Sequence, residues 1–215
     1  MRFLKVGIVI SLAFVFATTI WVIRQGKSKD SSLPVYGTVE EFQLVNQENT
    51  VFNSQSLNGR VTVVNFIFTS CGGVCPLLTQ QMAKIQDKTK DLGNRVQLVS
   101  ISVDPDKDTP ARLNEYGKLY GADYKRWVFL TGPIDTIRRV VVKGFMNAMS
   151  EGKQSEGPAP DLFEITHGEN FVIIDKEGNI RAFRQARGDR DVQGILKIVR
   201  QLSKDPEQPV KTASY

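Results

Sequence analysis

Cysteine and histidine are nearly absent: the 215 residues include two cysteines and one histidine. Two cysteines cannot make a disulfide framework, a four-thiolate zinc site or a four-cysteine iron–sulfur cluster. One histidine excludes any site that needs two imidazoles. Whatever metal or redox chemistry the chain performs must draw on this small inventory. Internal repeats are lacking too, and so are the biases of disordered or collagen-like chains, since 41% of residues are hydrophobic and 24% charged. The length suits one compact domain with an appendage and is short for two large ones.

A basic surface is also lacking, although the formal net charge is +5. Residues 1–30 hold Arg2, Lys5, Arg24, Lys27 and Lys29 against Asp30, a net +4, which leaves +1 for the other 185 residues. A nucleic-acid-binding domain would carry its excess on its own surface, so no nucleic-acid partner is expected.

Long apolar runs are confined to one place. The eighteen residues Val6–Ile23 carry no charge and lie between Lys5 and Arg24. As a helix they span about 27 Å, close to the hydrocarbon thickness of a bilayer. A cleaved signal peptide has a shorter apolar region and a small-residue cleavage site. This run instead ends in Ile20-Trp21-Val22-Ile23, with an aromatic residue at the interface position. It reads as an uncleaved single N-terminal transmembrane helix. Positive charges flank both ends and do not orient it.

The expected domains are an anchor and tether over 1–30, a folded body over 31–203 and a flexible tail over 204–215. Lys27–Pro34 is a polar tether. Val39–Val45 and Thr50–Phe52 read as a hairpin around Asn46-Gln47-Glu48-Asn49. Val61–Phe68 is a nearly unbroken apolar run, rich in β-branched residues, and predicts a buried central strand. A helix follows on Leu78, Met82 and Ile85, then a strand over Val96–Val103. Thr109-Pro110 reads as N-cap and first helical position of a helix on Leu113, Tyr116 and Tyr120. Trp127–Leu130 is a strand, and Ile134, Ile137 and Val141 mark a helix ending near Gly144. Phe145–Thr166 is irregular. Phe171–Ile174 and Ile180–Phe183 form a hairpin, and Val192, Ile195, Leu196 and Val199 mark a closing helix. This order predicts an α/β protein with a mixed central sheet, helices on both faces and an extra N-terminal hairpin. A strand that runs into a cysteine loop and a helix, with a late hairpin and closing helix, is thioredoxin-like.

The cysteine loop reads Thr69-Ser70-Cys71-Gly72-Gly73-Val74-Cys75-Pro76. Pro76 suits a first helical position, which would put Cys75 near the N-cap, where backbone N–H groups favour a thiolate. Gly72 and Gly73 would let the loop curl until both sulfurs face one point. A passive disulfide or a pair of buried thiols is the plainer alternative. His167 precedes the strand Phe171–Ile174, where thioredoxin-like folds bring a loop to face the cysteine loop. That loop normally carries a cis-proline, and here Thr166-His167 takes its place. Two thiolates and an imidazole make a soft donor set suited to Cu(I) or zinc, and too small for a closed structural zinc site. Asp104 ends the strand Val96–Val103 and reads either as an outer partner orienting a ligand or as a turn and cap residue. Met146 and Met149 are soft sulfurs near the irregular segment and read mainly as loop packing.

Taken together, Thr69-Ser70-Cys71 with Cys75-Pro76, Ser102-Val103-Asp104-Pro105-Asp106-Lys107-Asp108-Thr109-Pro110, and His167 before Phe171-Val172-Ile173-Ile174-Asp175-Lys176-Glu177-Gly178 resemble the Sco/SenC copper-binding proteins. The resemblance covers about residues 40–202, and the single N-terminal anchor is also similar to the family's. It implies a thioredoxin-like fold and copper bound by Cys71, Cys75 and His167, as Cu(I) and in addition as Cu(II). It further implies delivery of that copper to the CuA site of a cytochrome c oxidase subunit, with other copper chaperones or thiol–disulfide reductants as further partners. Gly72 departs from the pattern, because many relatives have proline there.

A copper chaperone of this type is gated by redox state, because a Cys71–Cys75 disulfide offers no thiolate to the metal. The same thiols would serve a thiol–disulfide oxidoreductase acting on an oxidase subunit or another extracytoplasmic partner. His167 separates the two, since only copper binding needs it. A peroxidase of the peroxiredoxin type wants P-x-x-x-T-x-x-C, which Cys71 does not have. Thiol-gated soft-metal chemistry behind one anchor places the body on the outer, periplasmic side of a bacterial inner membrane.

Overall fold

The computed structural model of the protein describes residues 33–146 and 170–204. The apolar run Val6–Ile23, most of the tether, His167, Met149, the segment 147–166 and the tail beyond 204 lie outside the described residues. Among the described residues, no helix is long and apolar enough to cross a membrane.

The sheet grows around the most apolar stretches of sequence. β4 (Val61–Ile67) and β5 (Val96–Ser102) are buried at every position, as strands covered on both faces must be. They pair in parallel from Val61 opposite Val96 to Ile67 opposite Ser102. Parallel neighbours need a crossover, and α1 (Val74–Lys88) provides it. A second crossover, α2 (Pro110–Leu119), leads to β6 (Trp127–Thr131), which runs parallel to β5. α3 (Ile134–Arg138) follows and continues as a π-helical turn over Arg139–Met146. β7 (Asn170–Ile174) and β8 (Asn179–Gln185) add an antiparallel hairpin to the other side of β4, and α4 (Asp189–Leu202) closes the fold.

Before β4 lie β1 (Gly37–Thr38), β2 (Gln43–Asn46) and β3 (Val51–Asn53). The strand order is β1-β8-β7-β4-β5-β6-β2-β3. The sheet is therefore mixed, as the element order predicts. The hairpin of β2 and β3 is present, with Asn46 Oδ1 accepting from the Glu48 and Thr50 N–H groups at 3.0 and 2.9 Å to form its turn. β2 starts at Gln43 rather than at Val39, for a geometric reason. β1 and β2 stand six strand positions apart, about 29 Å in a flat sheet at ~4.8 Å per strand. The five residue steps from Thr38 to Gln43 reach at most about 18 Å. The sheet must therefore coil until its ends approach, and residues 39–42 bridge them instead of extending the ladder. The Val39 N–H reaches the Gly178 carbonyl at 3.0 Å on one side, and Phe42 and Ser54 exchange hydrogen bonds on the other.

Alternation along the strands divides the core. Val64, Phe66, Val99, Ile101, Val128 and Leu130 pack with Ile137, Val140, Val141 and Phe145 of α3 and its π-helical extension. The intervening Val63, Leu98, Trp127, Phe129 and Ile173 are buried on the opposite face. There Tyr116 of α2 meets Phe129 edge-on, and α1 and α4 pack against each other and against β4. Helices thus cover both faces, as expected. α2 starts as the sequence predicts: Thr109 is its N-cap, accepting from the Arg112 N–H, and Pro110 opens the helix.

Candidate metal and thiol site

Two parallel strands end side by side and set the position of the cysteine loop. Beyond Ile67 the chain turns, with the Cys71 N–H donating to the Phe68 carbonyl at 3.2 Å. α1 begins at Val74 with Gly73 as its N-cap, so Cys75 is the helix's second residue. Thr79 anchors this first turn by donating to the Cys75 carbonyl at 2.8 Å. With its one hydrogen used there, Thr79 Oγ1 accepts from the Tyr116 hydroxyl at 2.9 Å. Neither Gly72 nor Gly73 has a positive φ, and a Cβ at Gly72 would meet nothing within 4 Å. The loop closes without left-handed glycines, but Gly73, at φ −111° and ψ −111°, lies outside the regions open to other residues, so glycine freedom is used there.

The two thiols lie close enough to act on each other's ionisation, and both are free cysteines. Their environments differ sharply. Cys71 is partly exposed, whereas Cys75 is fully buried. Burial opposes ionisation of Cys71, but N–H groups of Cys75, Gly73 and Val74 and the Cys75 thiol outweigh it. They hold Cys71 below the usual thiol range. Burial pushes Cys75 up to about 12; a backbone hydrogen bond from Phe68 works the other way, and Cys71 and the charge of Asp108 add to the rise. The expectation that the N-cap position activates Cys75 is thus corrected. The N-terminus of α1 points its free N–H groups at the Cys71 sulfur, four residues earlier in the chain. Of the two thiols, Cys71 is the one whose surroundings favour the thiolate, which is the reactive form. Brief treatment of the reduced protein with iodoacetamide at pH 7 should modify Cys71 and leave Cys75 as thiol, read by peptide mass. Equal labelling, or Cys75 first, would refute this assignment.

Asp108 is the carboxylate at this end of the sheet, and the sequence pointed instead to Asp104. Asp108 is completely buried. Its Oδ2 accepts from the Thr69 N–H at 3.0 Å and the Ser102 hydroxyl at 2.6 Å, and Oδ1 accepts from the Thr69 hydroxyl. Thr69 Oγ1 accepts in turn from Arg112 Nε at 2.8 Å. The only sequence signal was its place in the quoted run Ser102–Pro110, which contains three aspartates. Asp104 acts as a turn residue here. Its N–H donates to Ser102 Oγ, its carbonyl accepts from the Asp108 N–H, and Lys107 Nζ lies 3.3 Å from Oδ2 without forming a hydrogen bond.

Of the residues named from sequence, the structure brings Cys71 and Cys75 together. His167 and Met149 lie outside the described residues, and of Met146 only the backbone is described. Among the described residues, no three histidine, cysteine, aspartate or glutamate side chains converge as a metal site. The donor chemistry of the described part is a thiol pair. Such a pair can close to a disulfide or hold a soft metal ion.

Comparison with known proteins points the same way. A family model described as SCO1/SenC matches residues 32–203. The SCO1 protein homolog of Bacillus subtilis strain 168 is 31% identical over 148 residues, 68% of this chain and 73% of that one. The fold is similar to that of BsSco, a member of the Sco family of cytochrome c oxidase assembly proteins in which a disulfide switch was identified. That likeness has a TM-score of 0.66 and 26% identity over 81% of this chain and 97% of that one. It is also similar to the fold of yeast Sco1 with copper bound, with a TM-score of 0.58 and 22% identity over 83% and 98% of the two chains.

Proposed function

The chain belongs to the SCO1/SenC family, and from that premise we propose that it is a copper chaperone for cytochrome c oxidase, gated by the redox state of Cys71 and Cys75. The observation that carries this reading is the meeting of the two thiols at the N-terminus of α1. Copper is the cargo. Cys71 and Cys75 would hold it with two thiolates, and His167 would supply the third donor, ahead of β7. β7 is the strand beside β4, whose end carries the cysteine loop. Cu(I) favours this soft, low-coordinate donor set. Asp104 would act from outside the ligand set, through the turn it shares with Asp108. The domain that does this spans 31–203, and the recipient is the oxidase subunit that carries the CuA site.

His167→Ala tests the ligand assignment. The reduced variant should bind Cu(I) at least about tenfold more weakly, since losing even an outer partner of a ligand costs 10–100-fold, while disulfide formation is unchanged. Unaltered copper affinity would take histidine out of the site. It would favour the second reading, a thiol–disulfide reductase acting through Cys71, which the separation of the two thiols' reactivities also supports.

In this proposal residues 1–30 anchor the chain in a bacterial inner membrane by one helix over Val6–Ile23, with the copper domain on the periplasmic side. A reporter that is active only outside the cytoplasm, fused after Tyr215, should be active. Activity solely from a cytoplasm-dependent reporter at the same position would reverse the topology.

A further inference from the structure

We infer that Asp108 is a positioning residue for the cysteine pair: its buried carboxylate fixes the turn that carries Cys71 and so sets how readily the two sulfurs join. The two sulfurs belong to different frames. Cys75 moves with α1, whose first turn is held by Thr79 and Tyr116. Cys71 precedes the helix and hangs on the turn Phe68–Cys71. Among the described residues, Thr69 ties that turn to the neighbouring elements. Thr69, two residues before Cys71, gives both its N–H and its hydroxyl to Asp108. Asp108 takes a further hydrogen bond from Ser102, the last residue of β5. Arg112, from the first turn of α2, holds Thr69 Oγ1 from the other side. The end of β4, the end of β5 and the start of α2 therefore meet on one carboxylate. A carboxylate is costly to bury, and here it is surrounded by donors matched to its oxygens. An arrangement that merely stabilised the fold would not need to converge two residues from the reactive sulfur.

The consequence concerns disulfide closure, which tolerates little error in sulfur placement. In exchange with oxidised glutathione, the Cys71 thiolate attacks one glutathione sulfur, releases one glutathione thiolate and leaves a mixed disulfide. The Cys75 sulfur then attacks the Cys71 sulfur and releases the second. The protein pair gives up two electrons, glutathione gains them, and the two protein thiol protons end on the departing glutathiones. With the turn released, the sulfurs meet less often and the equilibrium moves toward the dithiol.

The inference rests on the reading that Cys71 and Cys75 form a reversible disulfide, and the experiment keeps the two apart. The full-length protein in detergent is equilibrated with glutathione buffers, and free thiols are counted by mass after alkylation. Asp108→Asn, with its oxygen at the Oδ2 position, keeps the bonds from the Thr69 N–H and the Ser102 hydroxyl and turns its amide toward Thr69 Oγ1, so its equilibrium constant should stay within fivefold of the parent's. Asp108→Ala and Thr69→Val should each lower the constant for disulfide formation more than fivefold, and Thr69→Ser should restore it. Thr69→Val removes one partly exposed hydroxyl and decides the matter alone if Asp108→Ala does not fold. A shift below fivefold in Thr69→Val, or in a folded Asp108→Ala, overturns the inference. An Asp108→Asn shift beyond fivefold also overturns it, because charge and not position would then be at work. If the unsubstituted protein forms no intramolecular disulfide, the underlying reading fails instead.

Discussion

Cu(I) added to the fully reduced protein should bind at one ion per chain, whereas protein carrying a Cys71–Cys75 disulfide should bind none at chelator concentrations that half-load the reduced form. Both sulfurs are consumed when the disulfide forms, and neither then has a thiolate to offer. The thiols already act on each other's ionisation, so the same approach serves the disulfide or a shared metal ion. The coupling must be reciprocal: at equilibrium, bound Cu(I) should disfavour oxidation of the pair by the same factor by which oxidation weakens copper binding. Cys71→Ser and Cys75→Ser should each lower copper affinity by more than about 100-fold, beyond the 10–100-fold cost of disturbing a ligand's outer partner. Each should also abolish the disulfide. Equal Cu(I) affinity in reduced and oxidised protein, with free thiols counted in both, would show that the cysteines are not the ligands.

Trp127→Ala should cost about 3–5 kcal/mol of folding stability, the range for a large aromatic removed from a core. Trp127 is fully buried, stacks on Phe129 at a centroid distance of 5.0 Å, and donates Nε1–H to Ser100 Oγ at 2.9 Å. Ser100 donates on to Asn65 Oδ1 at 2.7 Å, so one hydrogen-bonded row crosses β6, β5 and β4 beneath the helices. The substitution leaves a cavity and also takes the indole donor from Ser100. Urea unfolding followed by far-ultraviolet circular dichroism measures the loss. Trp127→Phe should recover more than half of it, because the ring returns and the indole hydrogen bond does not. A loss below about 1 kcal/mol for the alanine variant would mean that this face is not packed as described.

The strands and helices were legible where burial is continuous. Val61–Phe68 and Val96–Val103 are apolar and largely β-branched at most positions, and each became a central strand. Thr109-Pro110 specified a helix start by local chemistry alone, and local chemistry needs no tertiary context. The cysteine spacing was legible as a pair, but the pair's asymmetry was not. Which sulfur is activated depends on where α1 points its N–H groups, and helix direction relative to a preceding loop is a three-dimensional fact. Asp108 was hidden for a similar reason. Asp104, Asp106 and Asp108 alternate along one short run, and only the parallel pairing of β4 with β5 brings Thr69 and Ser102 together on Asp108. β1 was missed because two residues carry no periodicity; it forms only because β8 is there to pair with.

The coiling of the sheet has a bearing on how the chain behaves in company. The outermost strands, β1 and β3, are two and three residues long, and residues 39–42 draw the two ends toward each other. A second polypeptide seeking a long row of unpaired amides on which to add a strand finds only a few. The eight-stranded sheet thus gives a neighbouring copy little purchase for fibrous aggregation.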